Sequence, residues 1–123
     1  MTTRLHIEEQ RLADITIVRL RGRIEVEEGV DALRDYLNGL VKDGRVRLVL
    51  DMRDVIRLDS AGIGVLAAKY LTTARRGGAI KLLNLTERTG HLIQITKLSS
   101  VFEIFDDENE ALRSFGVRPA GAT

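Results

Sequence analysis

The sequence predicts a single α/β domain with a mixed sheet covered by helices. Three observations lead there. Short apolar segments alternate with segments of helical period in the order ββαβαβαβα. The first two strands are separated only by a short link, which favours antiparallel pairing. Each later strand follows a helix, which favours parallel pairing through crossovers of one hand. The length of 123 residues suits one domain.

Arg4-Leu5-His6-Ile7-Glu8 alternates polar and apolar, the mark of a half-buried strand near an edge. Ile15 to Leu20 is rich in β-branched residues, and Gly22 is expected to stop it. From Val26 to Val41 the period becomes helical. Val26, Val30, Leu33, Leu37, Leu40 and Val41 share one face, and Asp43-Gly44 closes the helix. Arg45 to Met52 has a continuously apolar centre, as in a strand covered on both faces. Arg53 to Asp59 reads as a polar loop. It leads to a second helix with Ile63, Leu66, Ala67, Tyr70, Leu71 and Ala74 inward, stopped by Gly77-Gly78. Ala79 to Leu85 is the next strand. Thr86-Glu87 opens a helix with Leu92 and Ile95 inward. Val101 to Phe105 is the last strand, and Asp106 or Asp107 caps a final helix holding Ala111, Leu112 and Phe115. The domain is expected over residues 1–116, with 117–123 as a flexible tail.

Composition narrows the function. Nineteen basic and 18 acidic residues leave a net charge of +1, without the basic excess of a nucleic-acid binder. Cysteine is absent, which removes disulfides, thiolate metal sites and cysteine nucleophiles. No apolar run reaches the roughly 18 residues of a membrane span. The start MTTRLHIEEQ lacks a signal-peptide core, so the cytoplasm is the expected location. His6 and His91 lack ligand spacing and read as surface histidines rather than metal ligands.

The most distinctive stretch is Asp59-Ser60-Ala61-Gly62-Ile63-Gly64, at the start of the second helix. Three readings fit it. Asp59 or Ser60 can simply cap the helix. Gly62-x-Gly64-x-x-Ala67 can belong to a small-nucleotide-binding module, although seven residues separate Met52 from Ser60, where a dinucleotide fingerprint should leave its strand almost directly. Or Ser60 is a phosphate acceptor, where a charge of about −1.5 to −2 would alter a docking surface without unfolding the domain. Ala61, Gly64, Val65, Ala68 and Thr72 can form a shallow docking face of small residues on one flank of this helix; the alternative is that the flank packs on a loop. Glu25 and Asp51 are candidates for the rim around Ser60, because strand ends and following loops share one edge in such folds; the alternative is that they are solvated loop acids.

Leu48-Val49-Leu50-Asp51, then Asp59-Ser60-Ala61-Gly62-Ile63-Gly64-Val65-Leu66, then Gly77-Gly78 resembles the STAS domain of bacterial anti-sigma-factor antagonists. The resemblance runs from about Leu5 to Phe115 and includes the order of elements. It implies a STAS-type fold and a binding protein rather than an enzyme. It implies phosphorylation at Ser60 by an anti-sigma factor that is itself a serine kinase and holds the ATP, so that no cofactor belongs to this chain. The unphosphorylated antagonist would bind that factor and free a sigma factor, and a PP2C-type phosphatase would reset the switch. The implied partner-binding residues are Glu25, Asp59, Ser60, Ala61, Gly62, Gly64, Val65 and Ala68, with neither direct nucleic-acid contact nor membrane insertion. Two departures from the family's habit stand out: Ala61 is found where a second serine is common, and Gly22-Arg23-Ile24-Glu25 where Gly-Glu-Leu-Asp is frequent. A STAS scaffold or accessory subunit of a stress-signalling or lipid-transport complex, never phosphorylated, is the alternative role.

Overall fold

A computed structural model describes residues 5–116; the expected tail at 117–123 lies outside the described residues. Five strands form one sheet in sequential order: β1 (His6–Leu12), β2 (Ile15–Ile24), β3 (Arg47–Leu58), β4 (Ala79–Leu83) and β5 (Glu103–Phe105). β1 pairs antiparallel with β2, and all later pairs are parallel. The helices are α1 (Val30–Lys42), α2 (Ser60–Arg75), α3 (Glu87–Ile95) and α4 (Glu108–Ser114), with a short 3-10 helix at Leu98–Ser100.

Parallel strands added in one direction, through crossovers of one hand, put every crossover helix on the same face. The core follows that rule. Leu33 and Leu37 of α1, Ile63 and Leu66 of α2 and Ile93 of α3 meet Leu48, Leu50 and Met52 of β3 in the larger cluster. Full burial of one such side chain contributes about 1.5–3 kcal/mol. Among the described residues the opposite face is covered only at one end, where Ala111, Leu112 and Phe115 close over Ile15, Ile17, Val49 and Leu83. The rest of that face carries charged residues. At its centre Arg19 reaches Asp51 at 2.8 Å, Glu108 at 2.9 Å and Gln10 at 2.8 Å.

The element order matches the sequence reading, but several boundaries do not. The stretch Arg53 to Asp59 is mostly strand, not loop, because β3 continues to Leu58. Two irregularities in the β2–β3 register hide it. Arg19 and Arg21 face Asp51 and Asp54, and Gly22 and Arg23 face Val55 and Arg57, so β3 gains an extra residue twice. Its buried positions become Met52, Val55 and Leu58, a spacing of three that breaks the strand alternation. Gly22 likewise does not stop β2, which runs on to Ile24. Val26 is not in α1 but in the preceding turn, 64% exposed. Leu71 and Ile95 point outward, at 52% and 60% exposure, while Thr73 takes the buried place on α2. β4 stops at Leu83 and β5 begins at Glu103. Asp107 is the cap of α4, accepting from Asn109 N–H at 2.9 Å.

Candidate functional site

The site assembles where β2 and β3 end side by side. Ile24 pairs with Leu58, and the Asp59 N–H donates to the Ile24 carbonyl at 3.2 Å. After β2 the chain makes a tight turn. Glu25 and Glu28 exchange backbone hydrogen bonds of 2.7 and 2.9 Å, and Gly29 is left-handed with φ 95°. A Cβ on Gly29 would lie 1.9 Å from the Arg23 carbonyl oxygen, so only glycine fits.

Asp59 joins this turn to α2. One carboxylate oxygen accepts from Gly62 N–H at 2.9 Å and caps the helix; the other accepts from Val26 N–H at 2.9 Å. Partial burial pushes its pKa up, but the backbone N–H groups of Gly62, Val26, Ala61 and Asp59 outweigh that and hold it below the ordinary 3.8. A folded-state pKa below the unfolded one gives stability that is present above 3.8 and lost as pH falls through the folded value. Asp59→Asn keeps one acceptor oxygen and orphans one N–H. It should cost about 1 kcal/mol near neutral pH. The gap from wild type should close in acid, which urea melts at both conditions would measure.

Because Asp59 takes the cap, Ser60 does not. Ser60 is the first residue of α2 and is exposed. Behind it α2 presses on the strand ends: a Cβ on Gly62 would meet Leu58 Cδ1 at 2.6 Å and the Ile24 carbonyl at 2.8 Å. Both glycines of Gly62-x-Gly64 lie inside the helix rather than in a loop before it, and the Gly62 N–H is already occupied. That geometry does not suit a phosphate-cradling turn, which needs free N–H groups ahead of the helix.

A shallow groove of about 480 Å³ follows Ser60 along α2, lined by Ala61, Gly64, Val65, Ala68 and Lys69, with Arg34 from α1 on its other side. Gly64 and Ala68 are exposed and Ala61 is half-buried. Val65 contributes to the wall but is largely buried, packed in the core, so it is not the open docking residue the sequence suggested. On the other side of Asp59 a second cavity, about 260 Å³, is lined by Glu25, Val26, Glu27, Glu28 and Asp59. Glu25 therefore does sit beside the start of α2. Asp51 does not: it lies at the other end of the β3 extension, roughly 20 Å of strand away, held by Arg19 and Asn84. Arg34 and Lys69, which line the groove, and Arg57, 3.5 Å from the Glu25 carboxylate, were not legible as site residues. Arg34 reads from sequence as part of the polar side of α1, and only packing shows which part of that side borders α2. Among the described residues no group of three or more His, Cys, Asp or Glu side chains is placed to hold a metal ion. Nor is any described helix long and apolar enough to cross a membrane.

Residues 6–111, from β1 into α4, match the STAS domain. The chain belongs to the STAS domain family. Within it, this STAS domain groups with the anti-sigma factor antagonists. It is 34% identical over 87 residues to the anti-sigma-B factor antagonist of Bacillus subtilis, covering 71% of this chain and 78% of that protein. Its fold superposes on an anti-sigma factor antagonist from Mycobacterium paratuberculosis with a TM-score of 0.84 at 22% identity, over 95% of this chain and 100% of that one. The same fold is found in SpoIIAA, in the unphosphorylated form at a TM-score of 0.78 and 18% identity, over 93% of this chain and 100% of that one. A structure of Bacillus SpoIIAA in its phosphorylated form aligns at a TM-score of 0.70 and 18% identity, over 90% of this chain and 98% of that one.

Proposed function

We propose that this STAS domain is a phosphorylation-controlled protein-binding switch of bacterial signalling. Unphosphorylated, it docks an anti-sigma factor along the start of α2 and the groove behind it, freeing a sigma factor in the cytoplasm. Phosphorylation of Ser60 by that factor, acting as a serine kinase, ends the docking, and a PP2C-type phosphatase restores it. The observation that carries this reading is the division of labour between neighbours. Asp59 does the capping, which leaves the Ser60 hydroxyl exposed and free to react beside a groove of small residues. Existence of SpoIIAA, a protein of the same fold, in phosphorylated and unphosphorylated forms supports it.

A phosphate on Ser60 would bring about −1.5 to −2 charges next to the Asp59 carboxylate, held ionised by its four N–H groups. The change falls at the mouth of the groove and leaves the core untouched. The test is to incubate the purified protein with ATP and candidate anti-sigma kinases and map the product by peptide mass spectrometry. The expected product carries one phosphate, on Ser60, and Ser60→Ala carries none while still binding. Phosphate consistently on another residue would reject the reading.

Gly64 gives a separate check on the groove. Nothing lies within 4 Å of a Cβ built there, so the fold does not require glycine. Gly64→Leu should keep the fold and raise stability by about 0.5–1 kcal/mol through helix propensity. It should also fill the groove and weaken anti-sigma binding by at least about tenfold. Thermal melts and calorimetry separate the two effects.

A further inference from the structure

Arginines line the open face of β2 at positions 19, 21 and 23, each opposite a residue of β3 in the parallel register. The first rung is complementary: Arg19 bonds Asp51 at 2.8 Å. The second sets Arg21 opposite Asp54. The third does not follow the pattern, because Arg23 faces Arg57. Like charges directly opposite each other destabilise a strand pair. Here two guanidiniums share one carboxylate, that of Glu25, at 3.4 Å from Arg23 and 3.5 Å from Arg57. Well-formed guanidinium–carboxylate bonds are about 2.7–2.9 Å long, so neither contact is tight. One negative charge answers two positive ones, and both arginine side chains remain substantially exposed.

This rung lies at the end of the ribbon, beside the candidate site. Arg57 precedes Asp59 by two residues, and Glu25 lines the same cavity as Asp59. The arginine pair therefore borders the surface proposed to dock the anti-sigma factor, next to a cavity whose other acids are Glu27, Glu28 and Asp59. Resting on that proposed function, we infer that Arg23 and Arg57 together receive a carboxylate of the anti-sigma partner and act as a specificity contact. A partner presenting an acidic side chain there completes the rung, whereas one presenting a basic side chain is repelled.

The test begins with a probe that needs no kinase. A hexaglutamate peptide is titrated at low salt into the labelled protein and followed by NMR. Perturbations should centre on Arg23 and Arg57, and a hexalysine peptide should not reproduce them. Arg23→Gln or Arg57→Gln should weaken peptide binding about threefold and the double variant about tenfold. Neither single variant should lower the melting temperature, since each relieves the like-charge pair. Arg75→Gln, at the far end of α2, should leave peptide binding unchanged. Perturbations centred elsewhere, or unaltered affinity in the double variant, would overturn the inference.

The second arm uses the kinase found to phosphorylate Ser60. Its KM for the double variant should rise by a similar factor at unchanged kcat. An unchanged KM would overturn the specificity role while leaving the switch standing. Peptide binding at Arg23 and Arg57 with no kinase acting on Ser60 would overturn the assignment of the carboxylate to an anti-sigma partner.

Discussion

Ser60→Asp is expected to lower the affinity for the anti-sigma factor by at least about tenfold, about 1.4 kcal/mol, with the fold intact. The physical reason is local. The substitution sets a second carboxylate beside Asp59, which is already held ionised by the N–H groups of Gly62, Val26 and Ala61 and its own. No core side chain is involved, because Ser60 is exposed. Calorimetry against the anti-sigma factor should therefore show weaker binding while the thermal melt moves little. Ser60→Ala should bind like wild type and resist phosphorylation. The pair of variants separates charge from the loss of a hydroxyl. Equal affinity for Ser60→Asp and wild type would mean that the start of α2 is not in the interface.

Gly29→Ala is expected to have the largest effect on stability, about 3 kcal/mol or more. Two penalties combine. The residue has a φ of 95°, and its new Cβ would sit 1.9 Å from the Arg23 carbonyl oxygen, a backbone atom that cannot swing aside. That is a large share of the roughly 5–15 kcal/mol that stabilises a typical domain. A shift of the melting temperature on the order of 10–20 °C should follow. Gly44→Ala is the matched control. Its φ is 80°, but nothing lies within 4 Å of the added Cβ, so only the conformational strain of about 1 kcal/mol applies. Comparable losses in the two variants would show that the contact with Arg23 is not what demands glycine at position 29. The turn also carries Val26, whose N–H is bonded to Asp59, so Gly29→Ala should disturb the Ser60 site as well.

The element order was legible because the apolar period changes cleanly between strands and helices. The start of α2 was legible because Asp59-Ser60-Ala61-Gly62 combines a cap, a hydroxyl and small residues in one short stretch. The β3 extension was hidden because two extra residues shift its buried positions to every third residue. Val26 was drawn into α1 by coincidence: it precedes Val30 by four residues, yet the left-handed Gly29 separates them. Asp51 was misplaced for the same reason as β3, since a strand ending at Met52 would have put that acid near the helix start. Among the cations around the site, Arg23 stood out as a departure from the family's habit, but Arg57, Arg34 and Lys69 were hidden for a different reason. Arg23 and Arg57 become neighbours only through the β2–β3 register, and Arg34 and Lys69 only through the packing of α1 beside α2.

One sample measured before and after modification tests the central claim most directly. The protein is titrated by calorimetry into the anti-sigma factor held with ADP, then phosphorylated on Ser60, repurified and titrated again. Treatment with a PP2C-type phosphatase provides the return step. The account predicts firm binding by the first sample, at least about tenfold weaker binding by the second, and full recovery after dephosphorylation. Equal affinity in all three titrations would contradict it.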